Sequence, residues 1–133
     1  MTEKLDDQSR AQMVKYRIEK AYEAIKESEF CAKGEMYILA INRLYYACYY
    51  IASALTLHNN LSCVTHKGVK TMLNLHFVNT GLLDKNIAKT LSTLYESRQS
   101  GDYEDFVYYE ADDYELLKPK ALQFIEEIKK LIK

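Results

Sequence analysis

Tyr37-Ile38-Leu39-Ala40-Ile41-Asn42-Arg43-Leu44-Tyr45-Tyr46-Ala47-Cys48-Tyr49-Tyr50-Ile51-Ala52 is apolar almost all the way round a helical wheel. A surface helix carries one apolar stripe, whereas a helix apolar on every side is packed on several sides. The segment therefore reads as the central helix of an all-α core, from Met36 to about His58, with Asn59-Asn60 ending it. Ala40, Ala47, Ala52 and Ala54 let neighbouring helices approach closely. The uncharged stretch from Leu44 to Leu57 falls short of the roughly 20 predominantly apolar residues that cross a bilayer, so it is a core helix and no membrane contact is expected. Asn42 and Arg43 are its polar interruptions, and with no charge near them on their own helix, their partners are expected on another. Tyr45, Tyr46, Tyr49 and Tyr50 cannot all point into one core. Those left outside suit a partner interface, because a tyrosine joins an apolar body to a hydroxyl tip. Homodimerisation through this region is the expectation.

Working outward, 133 residues make one domain, residues 1–133, with residues 1–8 expected to be a loosely ordered extension. Hydrophobic residues make up 48% and charged residues 28%, which excludes disorder. Four Gly and one Pro leave few places to turn, so long elements joined by short loops follow. The net charge of −1 draws the chain to neither nucleic acid nor an anionic membrane, and any nucleic-acid contact must rest on a local patch. Cys31, Cys48 and Cys63 are odd in number and form no CxxC, as in reduced thiols of a cytoplasmic protein. The acidic start Met1-Thr2-Glu3-Lys4-Leu5-Asp6-Asp7 is not a signal peptide.

Four further helices and no strand are predicted. The first spans about Asp7 to Glu29, capped by Asp6, Asp7 or Ser9, with Val14, Ile18, Ala21 and Ile25 on its buried stripe and Gly34 at the following turn. Thr65 caps a helix to about Phe77, with Val69, Met72, Leu73 and His76 inward. Gly81 turns the chain, Asp84 caps a helix to about Ser100, and Gly101 interrupts it. The last helix runs from near Asp112 to Leu131 or Ile132, burying Ala121, Phe124, Ile125, Ile128 and Leu131. Pro119 either kinks it or marks its first turn. Short connections between long amphipathic helices imply antiparallel neighbours, hence an up-and-down four-helix bundle with an additional short helix.

Most chemistries are excluded by spacing. His58, His66 and His76 have no i, i+4 pairing, and Cys63-x-x-His66 offers two ligands where zinc needs more, so no metal site and no cofactor are expected. The histidines read as solvent-exposed or capping. The scattered glycines make neither GxGxxG nor GxxxxGK[ST], and no nucleophilic triad is supported. Asp102, Asp105, Asp112 and Asp113 suit a loop and a helix N-terminus, where the helix dipole stabilises negative charge.

Arg98 stands out. Ile87, Leu91 and Leu94 recur at helical spacing, and the next place on that stripe is Arg98, directly before Gln99-Ser100-Gly101-Asp102-Tyr103. A buried guanidinium must be paired or fully hydrogen-bonded. It either pairs with Asp102 across one helical turn, if the helix continues through Gly101, or waits for an anion such as phosphate beside Tyr103.

The run Asn42-Arg43-Leu44-Tyr45-Tyr46-Ala47, then Thr65-His66-Lys67-Gly68, then Arg98-x-x-Gly101-Asp102-Tyr103, resembles the HEPN superfamily. It is most similar to the small stand-alone members encoded beside a minimal nucleotidyltransferase. The resemblance covers about residues 10–131 and implies an all-α bundle, usually a homodimer. Many members are metal-independent ribonucleases, and several are toxins whose antitoxin is the nucleotidyltransferase. Their signature is Arg, four to six residues, then His; Arg98 matches the Arg, while Tyr103 stands at the His position. In the implied chemistry the RNA 2′-hydroxyl attacks phosphorus while Arg stabilises charge and His shuttles the proton. An unperturbed histidine titrates at ~6.5 and a tyrosine at ~10, so at neutral pH about one tyrosine in a thousand is ready as a base. General acid–base help is worth roughly 10²–10⁴-fold, most of which that exchange removes. The tyrosine that some partner nucleotidyltransferases modify, two residues beyond the motif His, is Asp105 here.

Three functions follow. The first is a weakly or non-catalytic module binding RNA or nucleotide phosphate at Arg98, with Asn42, Arg43, Asp102 and Tyr46 around it, and working with a minimal nucleotidyltransferase. The second is an active ribonuclease toxin using Arg98 and Tyr103 as catalytic residues. The third is a structural or dimerisation module in which the Arg98–Asp102 pair ends a helix.

Overall fold

The computed structural model describes residues 6–61 and 63–133. Five α-helices form, with no strand among the described residues: α1 (Asp7–Lys33), α2 (Tyr37–His58), α3 (His66–Leu73), α4 (Lys85–Tyr103) and α5 (Ala111–Leu131). The N-terminal caps come from short acceptors in the sequence. Asp6 accepts from the Ser9 backbone N–H, Thr65 from that of Gly68, and Asp84 from those of Asn86 and Ile87. Glu110 and Asp113 form a reciprocal capping box at α5. Residues 1–5, most of the expected loose extension, lie outside the described residues, and α1 begins at Asp7.

Three residues join α1 to α2, which forces them antiparallel. α2 packs against α1, α4 and α5, and its uncharged faces are consumed there: Ala40, Ile41, Leu44, Ala47, Cys48, Ile51, Ala52, Ala54 and Leu55 are wholly buried. Asn42 near the start of α2 meets Asp102 at the end of α4, so these two are antiparallel. Tyr37 lies beside Ala111 and Tyr114, so α2 and α5 run the same way. The bundle is therefore up-and-down, with α3 as the extra short helix against α2 and α4. The buried hydroxyls of Ser28 and Tyr114 meet at 3.0 Å, and Ser28 also donates to the Ile25 carbonyl, so neither is an unmet polar group.

Two expectations need correction. Gly101 does not interrupt α4; the helix continues to Tyr103. Gly101 is instead where α4 meets its neighbours: a Cβ there would lie 2.9 Å from Tyr109 Cε2 and 3.3 Å from Ile38 Cγ2. His76 is exposed, and Phe77 takes the inward place. The cause is a π-helical turn at Asn74–Val78, whose extra residue per turn lines up Val69, Leu73 and Phe77. At the α1–α2 turn the left-handed backbone falls on Glu35 (φ 60°), while Gly34 has φ −86°. Pro119 lies inside the continuous α5, eight residues past its start, so it does not open the helix.

Candidate functional site

The C-terminal end of α4 lies across the first half of α2 and beside the start of α3. α4 brings Tyr95, Arg98, Gln99, Asp102 and Tyr103; α2 brings Asn42, Arg43, Tyr45 and Tyr46; α3 brings His66. All the residues singled out in the sequence around Arg98 thus share one corner of the bundle.

Arg98 sits among rings. Its guanidinium carbon is 5.2 Å from the Tyr46 centroid, 5.5 Å from Tyr45 and 5.8 Å from Tyr103. Aromatic faces attract a cation without neutralising it. The continuing helix does bring Asp102 into range, but Nε to Asp102 Oδ2 is 3.5 Å and makes no hydrogen bond. That same Oδ2 accepts at 2.8 Å from Asn42 Nδ2. Arg98 Nε is buried without an acceptor, and no guanidinium nitrogen of Arg98 donates a hydrogen bond among the described residues. Its side chain is 16% exposed. The two terminal nitrogens are not among the buried unpartnered atoms, so they reach solvent and are the donors that an incoming anion can meet.

The polar residues of α2 form a relay toward it. Arg43 donates to Asn42 Oδ1 from Nε (3.1 Å) and Nη2 (2.9 Å), and Asn42 donates onward to Asp102. Arg43 also reaches Glu27 of α1 at 3.5 Å and lies 4.7 Å over the Tyr46 ring. The partners expected from other helices are Glu27 and Asp102. Tyr46 is flanked by two guanidinium groups, those of Arg43 and Arg98.

Arg98, Gln99, Tyr103 and Glu104 line an open recess. Tyr103 is 71% exposed, its hydroxyl free of any partner among the described residues. Gln99 donates to the Tyr95 hydroxyl at 3.0 Å, which leaves its buried Oε1 without a donor. Beneath the recess, Arg98 Nε and Gln99 Oε1 are both buried without a hydrogen-bond partner among the described residues. Asp105 is exposed in the connector that follows.

Near the recess lies a histidine that the sequence alone gives no role at the site. His66 stacks on Tyr95 with ring centroids 3.9 Å apart and planes 13° from parallel, and Nδ1 is 3.1 Å from the Tyr45 hydroxyl. Burial, then the positive charges of Lys70 and Arg98, hold the imidazole below its ordinary pKa. Burial pushes the Tyr45 phenol well up, with Tyr49 adding to it and Arg98 opposing. Tyr45 therefore keeps its proton. The sequence hints are that His66 lies in the run Thr65-His66-Lys67-Gly68 that carries the family resemblance, and that Tyr95 lies three residues before Arg98, on the same helix face.

Among the described residues no three His, Cys, Asp or Glu side chains gather to hold a metal ion, and no helix is long and apolar enough to cross a membrane. An all-α bundle with Arg98 at the end of α4 and a polar Asn-Arg pair facing it from α2 defines a class, and the family model described as HEPN domain matches residues 14–132. The chain belongs to the HEPN domain family. A protein named UPF0332 protein from Thermotoga maritima is 35% identical over 120 residues, covering 90% of this chain and 91% of that one. Two proteins from Methanocaldococcus jannaschii, each carrying the name "putative toxin", are 30% and 32% identical, covering 86% and 87% of this chain and 78% and 86% of their own.

Proposed function

We propose that Arg98 binds the phosphate of RNA or of a nucleotide, and that the protein acts with a minimal nucleotidyltransferase in a toxin–antitoxin-like pair. The observation that carries this is the largely buried guanidinium, none of its nitrogens donating a hydrogen bond among the described residues, at an open recess that Tyr103 also lines. Asn42, itself held by Arg43, shares Asp102 Oδ2 with Arg98, and Tyr46 backs the guanidinium. The name carried by the two Methanocaldococcus jannaschii relatives supports a toxin-like role. Tyr103 stands where the family signature has its histidine, so Arg98 and Tyr103 alone lack the signature's proton shuttle and their cleavage is weak. Homodimerisation, with two Arg98 side chains facing one cleft, would gather the local positive charge that the net charge of −1 does not supply.

The test is binding of a labelled single-stranded oligoribonucleotide across a salt series. Arg98→Ala should weaken binding and flatten the salt slope by about 0.7 for each phosphate that the variant no longer neutralises. Equal affinity and equal slope in wild type and variant would remove the phosphate-binding role. A helix-ending role for Arg98 instead predicts lower thermal stability with RNA affinity unchanged, because Asp102 would be deprived of a real partner. Co-purification with the product of an adjacent nucleotidyltransferase gene tests the pairing.

A further inference from the structure

We propose that His66, presented from α3 behind the Arg98 recess, supplies the general base of the site. This rests on the phosphate-binding role of Arg98 and adds a catalytic residue to that site.

The placement is built from three elements. Tyr45 of α2 is the common neighbour: the Arg98 guanidinium and the His66 ring each lie within 6 Å of its ring centroid, at 5.5 Å and 5.7 Å. Tyr95 of α4 covers one face of the imidazole, and the Tyr45 hydroxyl engages Nδ1, so the ring has one fixed orientation. Nε2 makes no hydrogen bond among the described residues, yet it is not among the buried polar atoms left without a partner, so it reaches solvent. One nitrogen anchored and the other free is how an imidazole serves as a base: the tautomer the proposal requires has Nδ1–H donating to the Tyr45 oxygen, which leaves the lone pair on Nε2.

The charged and titratable groups around it agree. Tyr45 faces it from α2, Tyr95 and Arg98 from α4, and Lys70 from its own helix. No carboxylate contributes, so nothing holds the imidazolium, and the ring is neutral at pH 7. A phosphate docked on Arg98 brings the negative charge that stabilises the imidazolium once it forms.

Nε2 of His66 takes the proton of the ribose 2′-hydroxyl, the 2′-oxygen forms a bond to phosphorus, and the bond from phosphorus to the 5′-oxygen breaks. The leaving 5′-oxygen takes a proton from the Tyr103 phenol, whose O–H is a hydrogen-bond donor. His66 then loses its proton to water and Tyr103 regains one. The products are a 2′,3′-cyclic phosphate and a 5′-hydroxyl, without metal and without net redox change.

Metal-free cleavage of a mixed-sequence single-stranded RNA, run beside binding of the same RNA and of its all-deoxy counterpart, tests this. Wild type should cut the RNA with a rate that rises with pH through a value below ~6.5. His66→Asn keeps a donor for Tyr45 and should lose about 100-fold or more in rate, with the pH limb gone and RNA binding unchanged. His66→Gln serves as the second variant should the first fold poorly. Tyr103→Phe should slow cleavage and keep the limb. Cleavage in His66→Asn with an unchanged pH limb overturns the proposal, and so does wild type that binds RNA without cutting it, while the Arg98 binding role survives both. Wild type that binds neither RNA nor the deoxy strand overturns both at once.

Discussion

Replacing Gly101 with alanine should destabilise this protein, although alanine is the better helix former. Gly101 lies inside α4, and in an unobstructed helix interior Gly→Ala gains about 0.8–1.0 kcal/mol. Here the added Cβ would lie 2.9 Å from Tyr109 Cε2, closer than real Cβ atoms come to a neighbour, and 3.3 Å from Ile38 Cγ2. Tyr109 cannot swing away freely, because its hydroxyl donates to the Ser97 carbonyl at 2.8 Å. Overpacking of this kind costs typically about 1–3 kcal/mol, so the net expectation is a loss of up to about 2 kcal/mol. Urea denaturation at equilibrium reads it directly, and the midpoint of thermal unfolding should fall by up to about 8 °C. A double-mutant cycle with Tyr109→Ala locates the cause: without the ring, Gly101→Ala should become neutral or stabilising by up to about 1 kcal/mol. Gly101→Ala that stabilises the wild-type background would refute the reasoning. Because Gly101 sits between Arg98 and Asp102, the substitution should also weaken RNA binding if the end of α4 shifts.

Two further outcomes follow from the buried groups. Burial pushes the Cys48 thiol far up, so it holds no thiolate at neutral pH; a thiol reagent under native conditions should label the half-buried Cys63 first and Cys48 only on unfolding. Prompt native labelling of Cys48 would contradict its packing. The folded state holds His66 below its ordinary pKa, so between about 6.5 and that lower value the unfolded chain binds more protons. His66 therefore contributes stability above pH ~6.5 that is lost as pH falls through its folded value, and His66→Asn should flatten that part of a stability-versus-pH curve measured by urea titration.

The helices are legible in the sequence because the local signals agree with the packing. Thr65 and Asp84 cap where their side chains suggest, and the charge-free face of α2 finds three neighbours. Arg98 is legible as an odd charge on an apolar stripe, and Asn42 and Arg43 as polar residues lacking partners nearby. Gly101 misleads because a glycine in a sequence shows only its freedom, whereas here it serves close packing with Tyr109 and Ile38, on other segments of the chain. His76 is misplaced by simple periodicity because a π-turn changes the helical period without any composition that announces it. His66 reads from sequence as capping or exposed; its stack on Tyr95 and bond to Tyr45 depend on how α3 lies across α2 and α4, a tertiary fact with no local pattern.

The sequence has no tryptophan and twelve tyrosines. Intrinsic ultraviolet emission therefore comes from phenol rings alone, with no indole to drain the excitation. Tyr45, Tyr46 and Tyr103 surround the Arg98 guanidinium, and Tyr95 adjoins Tyr45. Any anion that draws that cation off those rings alters their surroundings together, so the unmodified protein carries its own optical gauge of occupancy, readable without a dye.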